Sequence, residues 1–393
     1  MFSTVIFILI LLYIIITLIF ISVDFYYWFL ERYTRYHIGQ WNSDSSWMEK
    51  FKKVAIDWLP VIPSVPVNSN KHLVLWDILW GNYKSKSVQS WQTGGLLLGI
   101  NTLQSSDAKK KVLQTIEHYI YRDGQWKNKP DHVSIAKLAY AILKSTDDTL
   151  RIKPAMDEML RLILERTGSD GMILYSINRK NIRYVDTLGL VCPFLAAYGK
   201  VYNQKEILDV ALNQIKNFTK FGLYPNSWLP VHAFELNTKL PVGVYGWGRG
   251  TGWYLLSLID VFLEVGDDDE ITADDLKDTI KQVADYLLRF QRDDGGFGIF
   301  VQNKELSYDS SATSIFAYFY SVAHQIFKDE KYLIAVTNCL SKLKRNTRRD
   351  GALDYCQGDT VDFGIFSQRL DIMPFAQGMT LRAYKIYKSK AID

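Results

Sequence analysis

Five glycine turns recur along this chain at intervals close to one helix-turn-helix unit, and that repetition limits what it can fold into. They are Tyr121-Arg122-Asp123-Gly124-Gln125-Trp126, Ser169-Asp170-Gly171-Met172, Lys220-Phe221-Gly222-Leu223-Tyr224-Pro225, Arg292-Asp293-Asp294-Gly295-Gly296-Phe297 and Arg349-Asp350-Gly351-Ala352. Their central glycines lie 47, 51, 73 and 56 residues apart. A period of this size means a repeated supersecondary unit. A polar-faced helix precedes each turn, as in Leu276 to Gln291, where Ile280, Val283, Ala284, Leu287 and Leu288 form one stripe at 3.6-residue spacing. After the turn comes a segment apolar on more than one face, the mark of a helix buried all round. Six such inner helices are expected, near 91–104, 131–145, 186–202, 249–265, 310–327 and 375–388. Six inner helices alternating with outer ones predict an all-α fold, an (α/α)6 barrel. An open helical solenoid uses the same units and is the alternative that spacing alone leaves standing.

Charge narrows the partners. Across 393 residues, 46 Lys+Arg against 42 Asp+Glu leave only +4, too little for a binder driven by neutralising phosphates, so nucleic acid is not expected. With 48% hydrophobic and 22% charged residues the chain is not a disordered tail either. The three cysteines, Cys192, Cys339 and Cys356, have no metal-ligand spacing and read as free thiols; no metal site is expected. Aromatic residues make up 14% of the chain, which suits the stacking of sugar rings and equally suits a core of large side chains.

The N-terminus is different in kind. No charged residue occurs from Phe2 to Val23, and 22 helical residues at ~1.5 Å rise span about 33 Å, enough for a bilayer core. The run is too long for a signal-peptide core and no small-x-small site follows it, so a retained transmembrane anchor is the expectation. Phe25, Tyr26, Tyr27, Trp28 and Phe29 then fall where a headgroup belt holds aromatic rings. Arg32, Arg35, Lys50, Lys52 and Lys53 follow the helix and no basic residue precedes it. That asymmetry predicts a globular part in the cytoplasm, and the one apolar run a single-pass protein; a bacterial inner membrane is the expected location. The expected division is an anchor over 1–24, a juxtamembrane and helical segment over 25–89, and the barrel over 90–393.

Polar and aromatic groups gather where each inner helix is expected to start: Trp91-Gln92, Asp131-His132, Tyr184-Val185-Asp186, Trp247-Gly248-Arg249, Tyr308-Asp309-Ser310 and Gln377. In a closed helical barrel these ends share one mouth, so groups distant in sequence converge on one pocket. Simple capping accounts for Ser310 and Asp309, and for Asp131 on its own. Asp186, followed by Leu188-Gly189-Leu190-Val191, is expected to be buried. Asp131 and Asp186 facing each other would supply the carboxylate pair that acid/base chemistry uses. Arg249 is suited to holding an anion, or else pairs with one of those aspartates. Trp253, four residues on, shares its helix face and reads equally as core or as a sugar platform.

These residues resemble the unsaturated uronyl hydrolases of glycoside hydrolase families 105 and 88. Gly246-Trp247-Gly248-Arg249-Gly250-Thr251-Gly252-Trp253-Tyr254 is similar to their arginine segment, and Tyr184-Val185-Asp186 with Pro193-Phe194-Leu195 to their aspartate segment. His232-Ala233-Phe234-Glu235, Asp309-Ser310-Ser311-Ala312-Thr313 and Cys356-Gln357-Gly358 match further signatures, while Asp371 to Gly378 replaces the family's late histidine-glycine segment. The resemblance implies an (α/α)6 barrel and hydration of the 4,5 double bond of a terminal unsaturated uronic acid on an acidic oligosaccharide, with no metal or organic cofactor. By the same resemblance Asp186 is the proton donor, Asp131 modulates it and binds the sugar, and His232, Arg249 and Trp253 orient the sugar; Trp247 and Trp91, at inner-helix starts, are added as candidate substrate-binding residues. Two other functions are weighed beside it: an anchored barrel of surface polysaccharide biosynthesis that handles another glycan, and a scaffold whose anchor matters more than its pocket.

Overall fold

Five of the six inner helices begin within one residue of where the apolar pattern predicts, and the second begins five residues late, at Ala136, after a 3-10 turn over Val133–Ile135. In the computed structural model, which describes residues 2–67, 75, 79, 84–86, 90–266, 270–360, 362–364 and 366–389, they are α3 (Ser90–Ile100), α5 (Ala136–Leu143), α7 (Asp186–Val201), α9 (Gly248–Val265), α11 (Ser310–Phe327) and α13 (Pro374–Ser389). The outer helices are α2 (Asp44–Trp58), α4 (Ser106–Tyr119), α6 (Thr149–Glu165), α8 (Lys205–Phe221), α10 (Glu270–Leu288) and α12 (Glu330–Arg345). α1 (Phe2–Thr34) stands before them. Every inner helix packs on the next and α13 returns to pack on α3, so the ring is closed and the open solenoid is ruled out. Closure depends on glycine: a methyl on Gly378 would collide with the Gly95 carbonyl, and one on Gly99 with the Gly378 backbone.

The repeated turns share one geometry. Gly124, Gly171, Gly295 and Gly351 have φ of 86°, 76°, 89° and 104°, the region where a side chain is disfavoured. Gly222 instead ends α8 with φ −100°. Five outer helices end at the barrel mouth, where the inner helices begin. α2 runs the other way: Asp44 at its start pairs with Lys344 at the end of α12, and Ile56 and Asp57 lie beside Thr102 and Leu103 at the far end of α3.

Small sheets decorate the mouth, a feature the scarce alternation in the sequence did not suggest. β3 (Ile182–Tyr184), β4 (Val231–Glu235) and β5 (Pro241–Tyr245) form an antiparallel sheet in that order. β6 (Cys356–Gln357) pairs with β7 (Leu370–Asp371). β1 (Val65–Val67) pairs with β2 (Lys84–Lys86) near the juxtamembrane segment. α1 is a single helix of 33 residues that continues past residue 24 without a break, and an 18-residue apolar window of it is wholly unburied. It is long and apolar enough to cross a membrane.

Toward the floor, the barrel axis is filled by charge. Asp260 of α9 accepts from Arg382 Nη2 of α13 at 2.7 Å and from the Tyr318 hydroxyl of α11 at 2.9 Å, and lies 3.3 Å from Lys137 Nζ of α5. Tyr140 donates to Glu264 at 3.0 Å, and Lys144 closes on the same carboxylate at 2.9 Å. Burial pulls the Asp260 carboxyl upward, but Arg382 and Lys137 outweigh it and hold the group at about 2. Burial drives the Lys137 ammonium down to about 8 against the opposing pull of Asp260, from an ordinary value of 10.5. Between those two values the unfolded chain binds the more protons, so the contribution of Lys137 to stability rises from about pH 8 toward 10.5 and is least favourable below pH 8. Lys137→Met is therefore expected to remove that rise, measured as the difference in unfolding midpoint between a neutral and an alkaline buffer. A variant that keeps the full wild-type rise would show that another group titrates.

Candidate active site

Strand pairing at the mouth builds the site. Tyr184 sits opposite Ala233 across β3 and β4, and the Val185 amide donates to the His232 carbonyl at 3.0 Å. The chain then turns straight into α7, whose first residue is Asp186. This brings Asp186 Oδ2 to 3.4 Å from His232 Nε2. Asp186, His232, Arg249, Trp253, Trp247 and Trp91 all line one cavity of about 540 Å³. Grooves of about 880 and 1100 Å³ occur elsewhere on the molecule, but only this one joins buried titratable groups to the starts of the inner helices.

Three buried polar atoms of the lining, Asp186 Oδ2, His232 Nδ1 and Trp253 Nε1, have no hydrogen-bond partner among the described residues. Buried polar groups are nearly always satisfied, so three orphans around one cavity mark a place for a polar ligand. The indoles are less available than the sequence suggests. Trp91, Trp247 and Trp253 are 4%, 1% and 2% exposed, and Trp91 and Trp253 meet edge to face at 5.4 Å, both against Phe375. They form the packed wall and base of the pocket, with Trp253 presenting its N–H.

Asp131 does not face Asp186. Its side chain is exposed and absent from the cavity lining, and its carbonyl accepts from Arg166. His132 takes the inward position. The backbone there is extended (φ −140°, ψ 143°), so successive side chains point to opposite sides, and a reading that could not fix this parity chose the wrong neighbour. The His132 ring packs edge-on to Tyr175 at 4.8 Å, and its Nδ1 lies 2.8 Å from the Ser134 hydroxyl. Burial, with the positive charge of Arg166, lowers the pKa of His132. Asp309 and Gln377 also lie outside the cavity lining and are structural. Asp309 accepts from the Ser311 and Gln357 amides at 2.8 and 2.9 Å, and Gln377 from the Leu353 amide at 2.8 Å.

Arg249 is 1% exposed and much of its guanidinium is committed: Nη1 donates to the Gln357 carbonyl at 2.6 Å and Nη2 to the Gly358 carbonyl at 2.8 Å. Trp247 Nε1 adds a bond to Gln357 Oε1 at 2.8 Å. Together they hold the segment that leads into Asp359, Thr360, Asp362 and Phe363, four cavity residues the sequence did not single out. Arg179 closes on Asp362 through two bonds of 2.7 and 3.0 Å while its guanidinium lies 4.8 Å over the Phe363 ring, and Phe363 stacks on Tyr184. The hydrogen bond from Arg179 leads the causes that hold Asp362 at about 2. Among the described residues no cluster of His, Cys, Asp and Glu could hold a metal ion. A lysine at position 249 keeps the charge but cannot reach both carbonyls with a fixed fork. Arg249→Lys is expected to lose nearly as much activity as Arg249→Ala, with faster proteolysis within 356–363 in both; wild-type resistance in the lysine variant would mean that charge alone suffices.

Comparison with known proteins agrees with this architecture. A structure described as a possible member of the GH105 family, from Klebsiella pneumoniae, superposes with a TM-score of 0.73 at 17% identity, over 89% of this chain and 94% of that one. An unsaturated glucuronyl hydrolase described as specific for heparin gives 0.67 at 15% identity, over 88% and 98%. The unsaturated glucuronyl hydrolase of Bacillus sp. GL1 gives 0.63 at 16% identity, over 85% and 93%. At these identities the likeness establishes the fold. The sequence itself carries the assignment further: residues 68–388 match the model of Glycosyl Hydrolase Family 88, and the chain belongs to that family of glycoside hydrolases.

Proposed function

We propose that this protein is a membrane-anchored hydrolase that hydrates the 4,5 double bond of a terminal unsaturated uronic acid and so releases the next sugar. The observation that carries the reading is Asp186, a cavity-lining residue at an inner-helix start that is 14% exposed rather than fully buried as the sequence suggests, with Oδ2 lacking a hydrogen bond among the described residues and lying 3.4 Å from His232 Nε2. The acid form of Asp186 gives its proton to C4 of the vinyl ether, and positive charge develops at C5. Water adds at C5 and returns a proton to the Asp186 carboxylate. The hemiketal then opens, and the glycosidic oxygen leaves with the neighbouring sugar. The unpartnered His232 Nδ1 and the Trp253 Nε1–H orient the sugar, and Arg249 acts by fixing the segment before Asp359. This route differs from a carboxylate pair flanking a glycosidic bond.

Retention of the anchor is supported by α1 itself, an unbroken helix whose apolar window is unburied and whose end docks on the barrel through Arg35 and Asp354. The basic residues after it favour a cytoplasmic barrel; protease digestion of the barrel from outside intact cells would reverse that orientation.

The full chain in detergent, given a panel of lyase-generated oligosaccharides, is expected to remove the ultraviolet absorbance of the conjugated enol ether and to leave the saturated counterparts untouched. No absorbance loss with any member of the panel would overturn the reading. His132 in the place expected for a second carboxylate favours one other reading, an anchored barrel that processes a different acidic glycan, and turnover of a saturated member of the panel would select it.

A further inference from the structure

The end of α1 is bonded to the roots of a loop that lines the pocket. Arg35, the first residue after the helix, donates from Nε to Asp354 Oδ2 at 2.9 Å, from Nη2 to Asp354 Oδ1 at 3.0 Å, and from Nη2 to the Leu370 carbonyl at 2.6 Å. Asp354 and Leu370 are the two roots of the loop that carries Gln357, Gly358, Asp359 and Phe363. The Arg35 guanidinium also lies 4.3 Å over the Tyr355 ring, and that of Arg369 lies 5.5 Å over Tyr27 of α1. Tyr27 is four residues from Val23, the last of the apolar run, and four helical residues rise only about 6 Å. The rim of the mouth therefore lies about one helical turn from the end of the apolar segment.

We propose that the mouth of the pocket is held at the membrane surface, and that its natural substrate is a glycan chain tethered by a lipid to that same membrane. The inference rests on the reading of α1 as a retained span and of the cavity as a uronyl site. A flexible linker would tether an enzyme for dissolved sugars equally well. Here a bidentate ion pair is sunk into the rim instead, with the Asp354 carboxylate fully buried. Such a pair adds little net stability beside an apolar substitute, and its attested use is to fix one arrangement. The arrangement fixed is the angle and height of the mouth relative to the apolar helix. Sharing a surface with the enzyme raises the effective concentration of a tethered chain, with avidity gains on the order of 10²–10⁴ when the tether spans the gap.

Two measurements on the full chain in lipid vesicles decide this. In the first, a single fluorophore is attached at Asn178→Cys on the rim or at Lys388→Cys at the floor, and energy transfer to a headgroup-labelled acceptor lipid is read; the native Cys192, Cys339 and Cys356 are buried and do not compete for label. Transfer is expected to be stronger from the rim. Equal or stronger transfer from the floor overturns the placement, whatever the chemistry of the site. In the second, one unsaturated-uronate glycan is supplied either free or joined by a short spacer to a lipid in the same vesicles. The joined form is expected to be consumed at least about 10-fold faster at equal bulk concentration. Seven helical residues inserted between Val23 and Asp24 raise the barrel by about 10 Å, and are expected to abolish that preference while the free glycan reacts at the original rate. No preference in the wild type, or a preference the insertion leaves intact, overturns the tethered substrate. If neither glycan loses its enol ether, the reaction assigned to the site is wrong. Co-sedimentation of vesicle-bound protein with the two glycan forms then makes the same comparison by binding, with tighter retention of the joined form expected and equal retention overturning it.

Discussion

Asp186→Asn is expected to lower turnover of an unsaturated uronyl glycan by about 10²–10⁴-fold, the range that a positioned proton donor contributes. The amide has the shape of the carboxyl group but no acidic proton to deliver to C4. Because Asp186 Oδ2 makes no hydrogen bond among the described residues, its replacement breaks no structural bond there, and the thermal midpoint should stay within the scatter of the wild type. Asp186→Glu offers a useful control: it restores the acid but moves it, so partial activity is expected. A full rate in Asp186→Asn would remove this residue from the chemistry, and the proton would have to come from another group of the lining, with Asp359 and Asp362 the nearest in kind.

The second large effect is on stability. Asp260→Ala leaves Arg382 and Lys137 facing each other without their shared counter-charge, in a site where Asp260 and Lys137 are wholly buried. Breaking a buried pair in this way costs about 3–5 kcal/mol. The loss should appear as a much lower unfolding midpoint in detergent, with the site's chemistry intact below it. The double variant Asp260→Ala with Lys137→Met should recover part of the loss, because it removes one of the stranded cations, and the non-additivity measures their coupling. Equal losses in the single and double variants would show that Arg382 alone bears the penalty. Acid acts on the same group. The Asp260 carboxyl, held at about 2 against an ordinary 3.8, contributes stability above about pH 4 that is lost as the pH falls through its folded value.

The sequence exposes what is periodic and hides what is not. Apolar spacing with glycine turns locates α7, α9 and α11 nearly to the residue, because an inner helix must be apolar on every face. Closure of the ring was not legible, since it depends on the contact of α13 with α3 at Gly95, Gly99 and Gly378, a pairing between the two ends of the barrel chain. Asp186 and His232 were legible as separate motifs, and only the β3–β4 pairing makes them neighbours. The exchange of Asp131 for His132 follows from the parity of a short extended segment, which no helical pattern sets. Arg179, Asp359, Asp362 and Phe363 lie on loops without repeat; Cys356-Gln357-Gly358 just before was the one pointer to the last three, and nothing pointed to Arg179. Arg249 was visible as a cation at a helix start, but its partners are carbonyls, which every residue carries and no motif marks.

The charged knot around Asp260 stoppers the barrel from below, and that has a bearing on how a long sugar chain can be handled. A tube sealed at one end has a single doorway. A polymer cannot be threaded through it, so a glycan that reacts in this pocket would enter by its tip, and the unit released would back out past the same rim before the next tip could enter.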